Sequence, residues 1–199
     1  MGQDPGRVKT IVCHLGNGAS ICAVKYGQVV DNSMGFTPLE GLVMGTRCGD
    51  VDAGALEYLA KKEDLDIRQI VAILNQESGV LGISKNFSSD FRELKDAEIK
   101  YHEKAALARE IFAYRVAKYV GVDNIVFTAG IGENDSDIRE EICSYLEYLG
   151  IAIDEVKNRE QAEAVKISDG TSRVNVLVIK TNEELEIARE AAAVAEGLV

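Results

Sequence analysis

The sequence predicts an α/β domain built on a mixed β-sheet that is covered by helices. Near its start, three short apolar stretches follow one another with turn residues between them, a pattern typical of consecutive antiparallel strands. Later, two apolar stretches are each followed by a helical pattern, which predicts strands added in parallel, each with its own helix. With 199 residues, 46% of them hydrophobic, the chain can form one large domain or two small ones with a proper core.

The individual elements follow from these patterns in chain order. Five strands are predicted at residues 8–14, 20–26, 28–34, 124–128 and 174–180. Helices are predicted at 52–62, 67–77, 107–120, 137–149 and 182–197, whereas 78–89 is loop-like. This order predicts a five-stranded mixed sheet and, with it, the ribonuclease-H-like core that actin-like ATPases use.

The net charge of the chain argues against two classes of binding partner. The formal net charge of -11 argues against nucleic acid and against an anionic membrane, because both attract a basic face. An anionic small ligand is still compatible, because a few cations and a metal ion can reverse the potential locally.

The cysteines and the first residues bear on location and domain limits. Four cysteines without a CxxC pair, and no signal peptide or membrane-length apolar run, predict a cytoplasmic protein with free thiols. Residues 1–7 are polar and carry no pattern, so we expect a leader or the stub of a longer protein there, with the domain at 8–199.

A glycine-rich turn follows the first predicted strand. In the segment CHLGNGAS at 13–20, two glycines and an asparagine allow backbone conformations that other residues avoid. Such a turn can bring main-chain N–H groups close to an anion, and phosphate is the obvious one. Because glycine-rich turns are common, the motif gains meaning only from three further segments, GTRCG at 45–49, GIGEN at 130–134 and TNEE at 181–184.

The later motifs also have structural explanations. The segment 130–134 lies between a strand and a helix, where N–H groups and a helix N-terminus can meet a nucleotide, but no Lys-Ser/Thr follows as in a Walker A loop. From the residues alone, Asp90 is an ordinary helix cap. The spacing of Thr181 and Glu184 predicts a capping box, in which Glu183 has no part. His102 is predicted to face solvent.

In this order, the motifs resemble the acetokinase family, and more closely the C-terminal half of acetate kinase. The matching segments are HLGNGAS at 14–20, SMGFTPLEGL at 33–42, MGTR at 44–47, SDFR at 89–92, FTAGIGEN at 127–134 and TNEE at 181–184. The chain departs from the family at Lys180 and Ala53, where proline is common. Neither position carries chemistry in the family.

The resemblance implies a reaction and the residues that perform it. ATP and acetate would give ADP and acetyl phosphate by direct in-line transfer. Because acetate is already ionised near neutral pH, catalysis would be mostly charge neutralisation and positioning. Arg47 would stabilise the transition state, His14 would lie near the transferred phosphoryl group, and Glu183 would bind Mg²⁺ or Mn²⁺. The alternatives are a structural arginine and a satisfied histidine at a strand end. The residues implied in ATP binding are His14, Leu15, Gly16, Asn17, Gly18, Asp90, Phe91, Arg92, Gly130, Ile131, Gly132, Glu133 and Asn134.

The resemblance also limits what this chain is expected to do alone. The family builds its site in a cleft between two related domains, and the other domain supplies much of the acetate pocket. We therefore expect the isolated chain to be inactive or nearly so, and to form a homodimer as the family does. A propionate or butyrate kinase, or a nucleotide-binding and dimerisation module without chemistry of its own, are the alternatives.

Overall fold

A mixed sheet forms the centre of the molecule. The computed structural model describes residues 4–119, 123–182, 187–189 and 191–192. Within them the strands are β1 (Lys9–Leu15), β2 (Ala19–Lys25), β3 (Gln28–Asn32), β4 (Asn124–Thr128), β5 (Ala164–Lys166) and β6 (Asn175–Ile179). They form one six-stranded sheet in the order β3-β2-β1-β4-β6-β5.

The pairing confirms the predicted mixture of directions. β1, β2 and β3 pair antiparallel, whereas β4 pairs parallel with both β1 and β6. The prediction of five strands is wrong, because β5 adds a sixth that pairs antiparallel with β6. β5 has three residues and buries only Val165, which is too short to show an alternating pattern in the sequence.

Helices precede and follow the strands. Their bounds are α1 Ala53–Glu63, α2 Ile67–Gln76, α3 Gly79–Ile83, α4 Phe91–Ile99, α5 Glu103–Ala117, α6 Ala129–Asn134, α7 Ser136–Ser144 and α8 Glu155–Asn158, with 3₁₀ turns at Pro5–Arg7 and Glu147–Leu149. Side-chain caps begin several of them, including a capping box between Asp66 and Gln69 at α2. Within the described ranges, no helix is long and apolar enough to cross a membrane.

The helices differ from the prediction in several details, and α4, α6 and α8 are additional to the predicted ones. The segment expected to be a loop contains α3, and the helix expected at 137–149 ends at Ser144 before a separate 3₁₀ turn. His102 does not simply face solvent, because its Nδ1 accepts a hydrogen bond from the N–H of Ala105 at 3.1 Å and its ring lies 4.8 Å from that of Phe87. Of the final predicted helix, residues 187–189 and 191–192 are helical, and Glu184 of the expected capping box lies outside the described residues.

The core runs along both faces of the central strands. All of residues 124–127 in β4 are buried, so this strand is covered on both sides, as a parallel central strand requires. In β1, Cys13 and Leu15 are fully buried and pack in one cluster with Phe112 of α5. The register sets His14 of β1 beside Thr128 of β4, so the carboxyl ends of these two parallel strands meet at one edge of the sheet.

Candidate functional site

A cavity of about 580 Å³ lies between the turn that follows β1, the helix α6 that follows β4, and the beginning of α4. Its lining comes from three of the sequence motifs. The lining residues are Gly16, Asn17, Ser89, Asp90, Phe91, Arg92, Lys95, Gly130, Ile131, Asn134 and Asp135. Segments more than a hundred residues apart in the chain therefore share one site.

The first wall of the cavity is the turn between β1 and β2. The N–H of Gly16 donates to the carbonyl of Gly18 at 3.2 Å, which closes the turn tightly. A Cβ added to Gly16 would lie 3.0 Å from that carbonyl oxygen, so the close approach favours glycine here. Leu15, just before the turn, has a fully buried side chain, which leaves only its backbone to face a ligand.

Arg47 lies beside this turn. The N–H of Gly45 donates to the carbonyl of Asn17 at 2.9 Å, which joins the two segments directly. A Cβ built on Gly18 would lie 3.5 Å from Nη1 of Arg47, and that nitrogen donates to the carbonyl of Pro38 at 3.2 Å. A permanently charged guanidinium is thus held at the mouth of the turn, where it can fork onto an anion.

The loop that carries Arg47 is closed by Asp50. Asp50 donates its N–H to the carbonyl of Gly41 and accepts the N–H of Gly41 on its carboxylate, at 3.0 and 2.9 Å. The other carboxylate oxygen accepts from Arg115 and from the hydroxyl of Tyr119, both at 2.6 Å. Burial alone would raise the pKa of Asp50, but these hydrogen bonds and the nearby cations hold it below its usual value.

The second wall is the beginning of α4. Asp90 caps this helix by accepting the N–H of Arg92 at 2.8 Å, and it pairs with the guanidinium of Arg92 at 2.6 Å. The hydrogen bonds from Arg92 lower the pKa of Asp90 to about 2. Phe91 packs edge-to-face on Phe112, with ring centroids 4.5 Å apart, and still reaches the cavity. Asp90 is therefore both a helix cap and a residue of the site.

The third wall is α6, a short helix that begins directly after β4. Ala129 has φ of 62°, in the left-handed region that residues with a Cβ disfavour. Nδ2 of Asn134 donates to the carbonyl of Gly130 at 2.8 Å. From behind, the buried guanidinium of Arg139 donates to the carbonyls of Gly132 and Glu133 at 2.9 and 3.0 Å. Burial lowers the pKa of Arg139.

The structure divides the predicted site residues into three groups. Those that line the cavity are Gly16, Asn17, Asp90, Phe91, Arg92, Gly130, Ile131 and Asn134. Arg47 and Gly18 lie next to each other at the turn, and Nδ1 of His14 lies 3.4 Å from Oγ1 of Thr128 at the strand ends.

Three further predicted residues, Leu15, Gly132 and Glu133, are not among those that line the cavity. Leu15 and Gly132 are buried, and a Cβ on Gly132 would lie 3.6 Å from the side chain of Leu15. The carboxylate of Glu133 is bonded to backbone groups. Sequence reasoning missed Lys95 and Asp135, which also line the cavity. Lys95 follows Phe91 by four positions, one helical turn, and that spacing could have indicated it.

In the part of the chain that the structure describes, His, Cys, Asp and Glu nowhere form a group of three that could hold a metal ion. Glu183, the predicted metal ligand, lies outside the described residues. Nevertheless, the segment before it is fixed to the site, because Oγ1 of Thr181 accepts the N–H of Ala129 at 3.1 Å.

Comparisons with known proteins agree on one family. A sequence model of the acetokinase family matches residues 1–189. The chain is 54% identical to the acetate kinase of Helicobacter hepaticus, an alignment that covers 100% of this chain and 51% of that protein. The chain therefore spans about half the length of the curated relatives it matches.

Solved structures confirm the fold. The crystal structure of Porphyromonas gingivalis acetate kinase matches with a TM-score of 0.92 and 43% identity, over 98% of this chain and 51% of that one. A propionate kinase structure from Francisella tularensis matches with a TM-score of 0.85 and 44% identity, over 91% of this chain and 48% of that one. The predicted ribonuclease-H-like fold of the actin-like ATPases is thereby confirmed, apart from its strand count. On its sequence and on its fold alike, this chain belongs to the acetokinase family.

Proposed function

We propose that this chain is the ATP-binding half of an acetate kinase, which transfers the γ-phosphoryl group of ATP directly to acetate and forms acetyl phosphate. One observation carries the proposal. Three motifs that are distant in sequence line one cavity, and the Gly45–Asn17 hydrogen bond sets Arg47 at its edge. Family membership supports the same reaction.

The nucleotide would lie along the cavity. Phe91 and Ile131 offer apolar surface for the flat base. The N–H groups of Asn17 and Gly18 are the proposed donors to the phosphates, since the N–H of Gly16 is bonded within the turn. Arg92 and Lys95 also line the cavity, where Asp90 and Asp135 balance their charges. The apolar surface and the backbone donors together favour a ligand with one aromatic end and one anionic end.

The phosphoryl end would lie at Arg47 and His14. Acetate is ionised near neutral pH, so the barrier arises mostly from bringing two anions together. Arg47 would neutralise charge on the transferred group, and His14 would donate a hydrogen bond to one of its oxygens. Magnesium at such sites takes most of its ligands from phosphates and water and needs only one or two carboxylates. Glu183 is the proposed carboxylate, and the cation would reduce the charge on the phosphates.

The acyl substrate is the least constrained part of the proposal. A propionate kinase is a second candidate, since the Francisella tularensis propionate kinase matches over 91% of this chain at 44% identity. The pocket for the acyl group would be completed by the half of the relatives that this chain does not cover. We therefore expect the 199-residue chain alone to be inactive or nearly so.

Titration of the chain with Mg·ATP in a calorimeter tests the binding half of the proposal. We expect saturable binding with one site per chain. No saturable heat at millimolar nucleotide would overturn the proposal. A hydroxamate assay for acetyl phosphate tests the rest, and turnover by this chain alone would overturn the role given to the other half.

Sedimentation of the chain tests the expected homodimer. The prediction is a dimer at micromolar concentration, and a strict monomer would contradict a self-sufficient interface within this chain.

A further inference from the structure

The carboxylate of Glu133 joins two segments of the candidate site to each other. Its Oε1 accepts the N–H of Ala129 at 2.8 Å and the N–H of Thr181 at 2.7 Å. Oγ1 of Thr181 accepts the same Ala129 N–H at 3.1 Å. One oxygen atom therefore links the beginning of α6 to the residue that follows Lys180 at the end of β6.

The linked turn is strained. Thr128 is extended, with φ of -140° and ψ of 177°, and Ala129 then takes φ of 62°. Left-handed backbone is unfavourable for alanine because its Cβ crowds the carbonyl, so surrounding contacts must hold it. The bonds from Ala129 to Glu133 and Thr181 are such contacts. They hold the residue immediately before Gly130, which lines the cavity.

The main chain of Glu133 is itself anchored. Arg139, which is 2% exposed, donates to the carbonyls of Gly132 and Glu133 and also to both oxygens of Asn158. This fixes the backbone from which the Glu133 side chain reaches toward Ala129. Glu133 is not among the described residues that line the cavity.

We propose that Glu133 is a positioning residue and not a nucleotide ligand: it clamps the strained Ala129 turn to Thr181. The clamp fixes the position of α6 relative to the segment 181–182, which leads in sequence to Glu183. This inference rests on the proposed function and deepens it, because it says how the adenosine side and the metal side of one site are kept in register.

Amide hydrogen exchange on the chain without nucleotide tests the clamp directly. In Glu133→Ala we expect the amide of Thr181 to exchange about tenfold faster or more, because it loses its carboxylate acceptor. The amide of Ala129 should exchange faster by a smaller factor, because it keeps the Thr181 hydroxyl as an acceptor. In Glu133→Gln, which keeps an oxygen in place, exchange should stay within about threefold of the original chain. The matched control is Glu160→Ala, an exposed glutamate on the surface, which should leave both amides unchanged.

Affinity for Mg·ATP gives the second readout. Glu133→Ala should weaken binding about tenfold. Adding Ala129→Gly should recover at least a third of that loss on a logarithmic scale, since glycine adopts positive φ without the steric cost. A direct nucleotide ligand would behave differently, because removing strain at Ala129 cannot replace a lost contact to ATP.

The outcomes separate the clamp from the proposed function. Unchanged amide exchange in Glu133→Ala, or a loss of affinity that Ala129→Gly leaves intact, would overturn the clamp. If the original chain binds no Mg·ATP, the proposed function fails, while the exchange measurement still decides whether the clamp exists. Should Glu133→Ala not fold, Glu133→Asp takes its place, because it keeps the charge but is one methylene too short to reach both amides.

Discussion

At the scale of single residues, the site depends on a few charged side chains held at fixed positions. Arg47 is fixed by Pro38 and lies beside Gly18, and Asp90 is fixed by the first turn of α4. Both side chains make structural contacts in addition to the roles proposed for them. The nucleotide affinity and the stability of each variant must therefore be measured separately.

Replacement of Arg47 should weaken the binding of ATP more than the binding of ADP. The guanidinium is proposed to meet the terminal phosphate, which ADP lacks. Losing a hydrogen bond between charged groups costs about 1.5–3 kcal/mol, or roughly tenfold or more in affinity. Calorimetry on Arg47→Ala should thus show weaker binding of Mg·ATP and nearly unchanged binding of Mg·ADP. Arg68→Ala, at an exposed arginine of α2, is the control. Equal losses for both nucleotides would contradict the assigned position of Arg47.

Replacement of Asp90 should separate its cap from its charge. Asp90→Ala removes the N-cap of α4 and should cost about 1 kcal/mol, whereas Asp90→Asn keeps a good capping residue. In a chain of this size, that difference corresponds to about 2–4 °C in the melting temperature. Because the folded pKa of Asp90 is lowered to about 2, its charge stabilises the fold above its ordinary pKa and ceases to do so as the pH falls toward 2.

Thermal melts at pH 7 and pH 3 check both parts. The difference in melting temperature between the original chain and Asp90→Asn should be smaller at pH 3 than at pH 7. The side chain of Asp90 is 35% exposed, so solvent screening keeps this charge effect small. A larger difference in melting temperature at pH 3 than at pH 7 would contradict the stabilising role given to the Asp90 charge.

At the scale of elements, α3 supports the loop that carries Arg47. The N–H groups of Ser78, Val80 and Leu81 donate to the carbonyls of residues 46, 44 and 45 at 2.9–3.0 Å. Gly79 lies between these donors with φ of 61°, and a Cβ there would lie 2.3 Å from the carbonyl oxygen of Met44. The sequence predicted a loop at this place, because five residues rich in glycine and bounded by serines carry no helical period.

Gly79→Ala should therefore destabilise the protein strongly. The left-handed backbone and the close carbonyl act together, and we expect a loss of about 2 kcal/mol or more in the free energy of unfolding. Gly170→Ala is the matched control, because a Cβ there meets nothing within 4 Å. Urea unfolding of the two variants checks the contrast, and equal midpoints would refute the packing described for α3.

At the scale of the whole molecule, contacts between distant parts of the chain hold the site together. Asp50 in the Arg47 loop accepts the hydroxyl of Tyr119, which lies just after α5 and 69 positions away in sequence. Burial and the hydrogen bond to Asp50 raise the pKa of Tyr119 to about 12. The loop is thereby fixed to a helix that also packs on α4 and α7.

This link should make stability depend on alkaline pH. The folded pKa of Tyr119 lies above its unfolded value, so its contribution is present below about pH 10 and is lost as the pH rises toward 12. Between pH 8 and pH 11.5, Tyr119→Phe should lose less stability than the original chain, by up to about 1 kcal/mol given its partial exposure. Urea unfolding at the two pH values measures this, with Tyr148→Phe, at an exposed tyrosine, as the control. A larger loss in Tyr119→Phe would contradict the assignment.

The sequence by itself determined the mixture of strand directions, the helices α1, α2, α5 and α7, and the motifs that line the cavity. These are local signals: turn residues such as Gly16 and Gly130, and apolar periods of two or of three to four residues. Only the tertiary structure decided the sixth strand, the helix α3 and the entry of Lys95 and Asp135 into the cavity lining. It also decided that Leu15 turns into the core and that the Glu133 carboxylate is bonded to backbone N–H groups. The physical reason is that a side chain's direction and partners depend on contacts across a hundred positions or more, as between His14 and Thr128, and no local pattern encodes them.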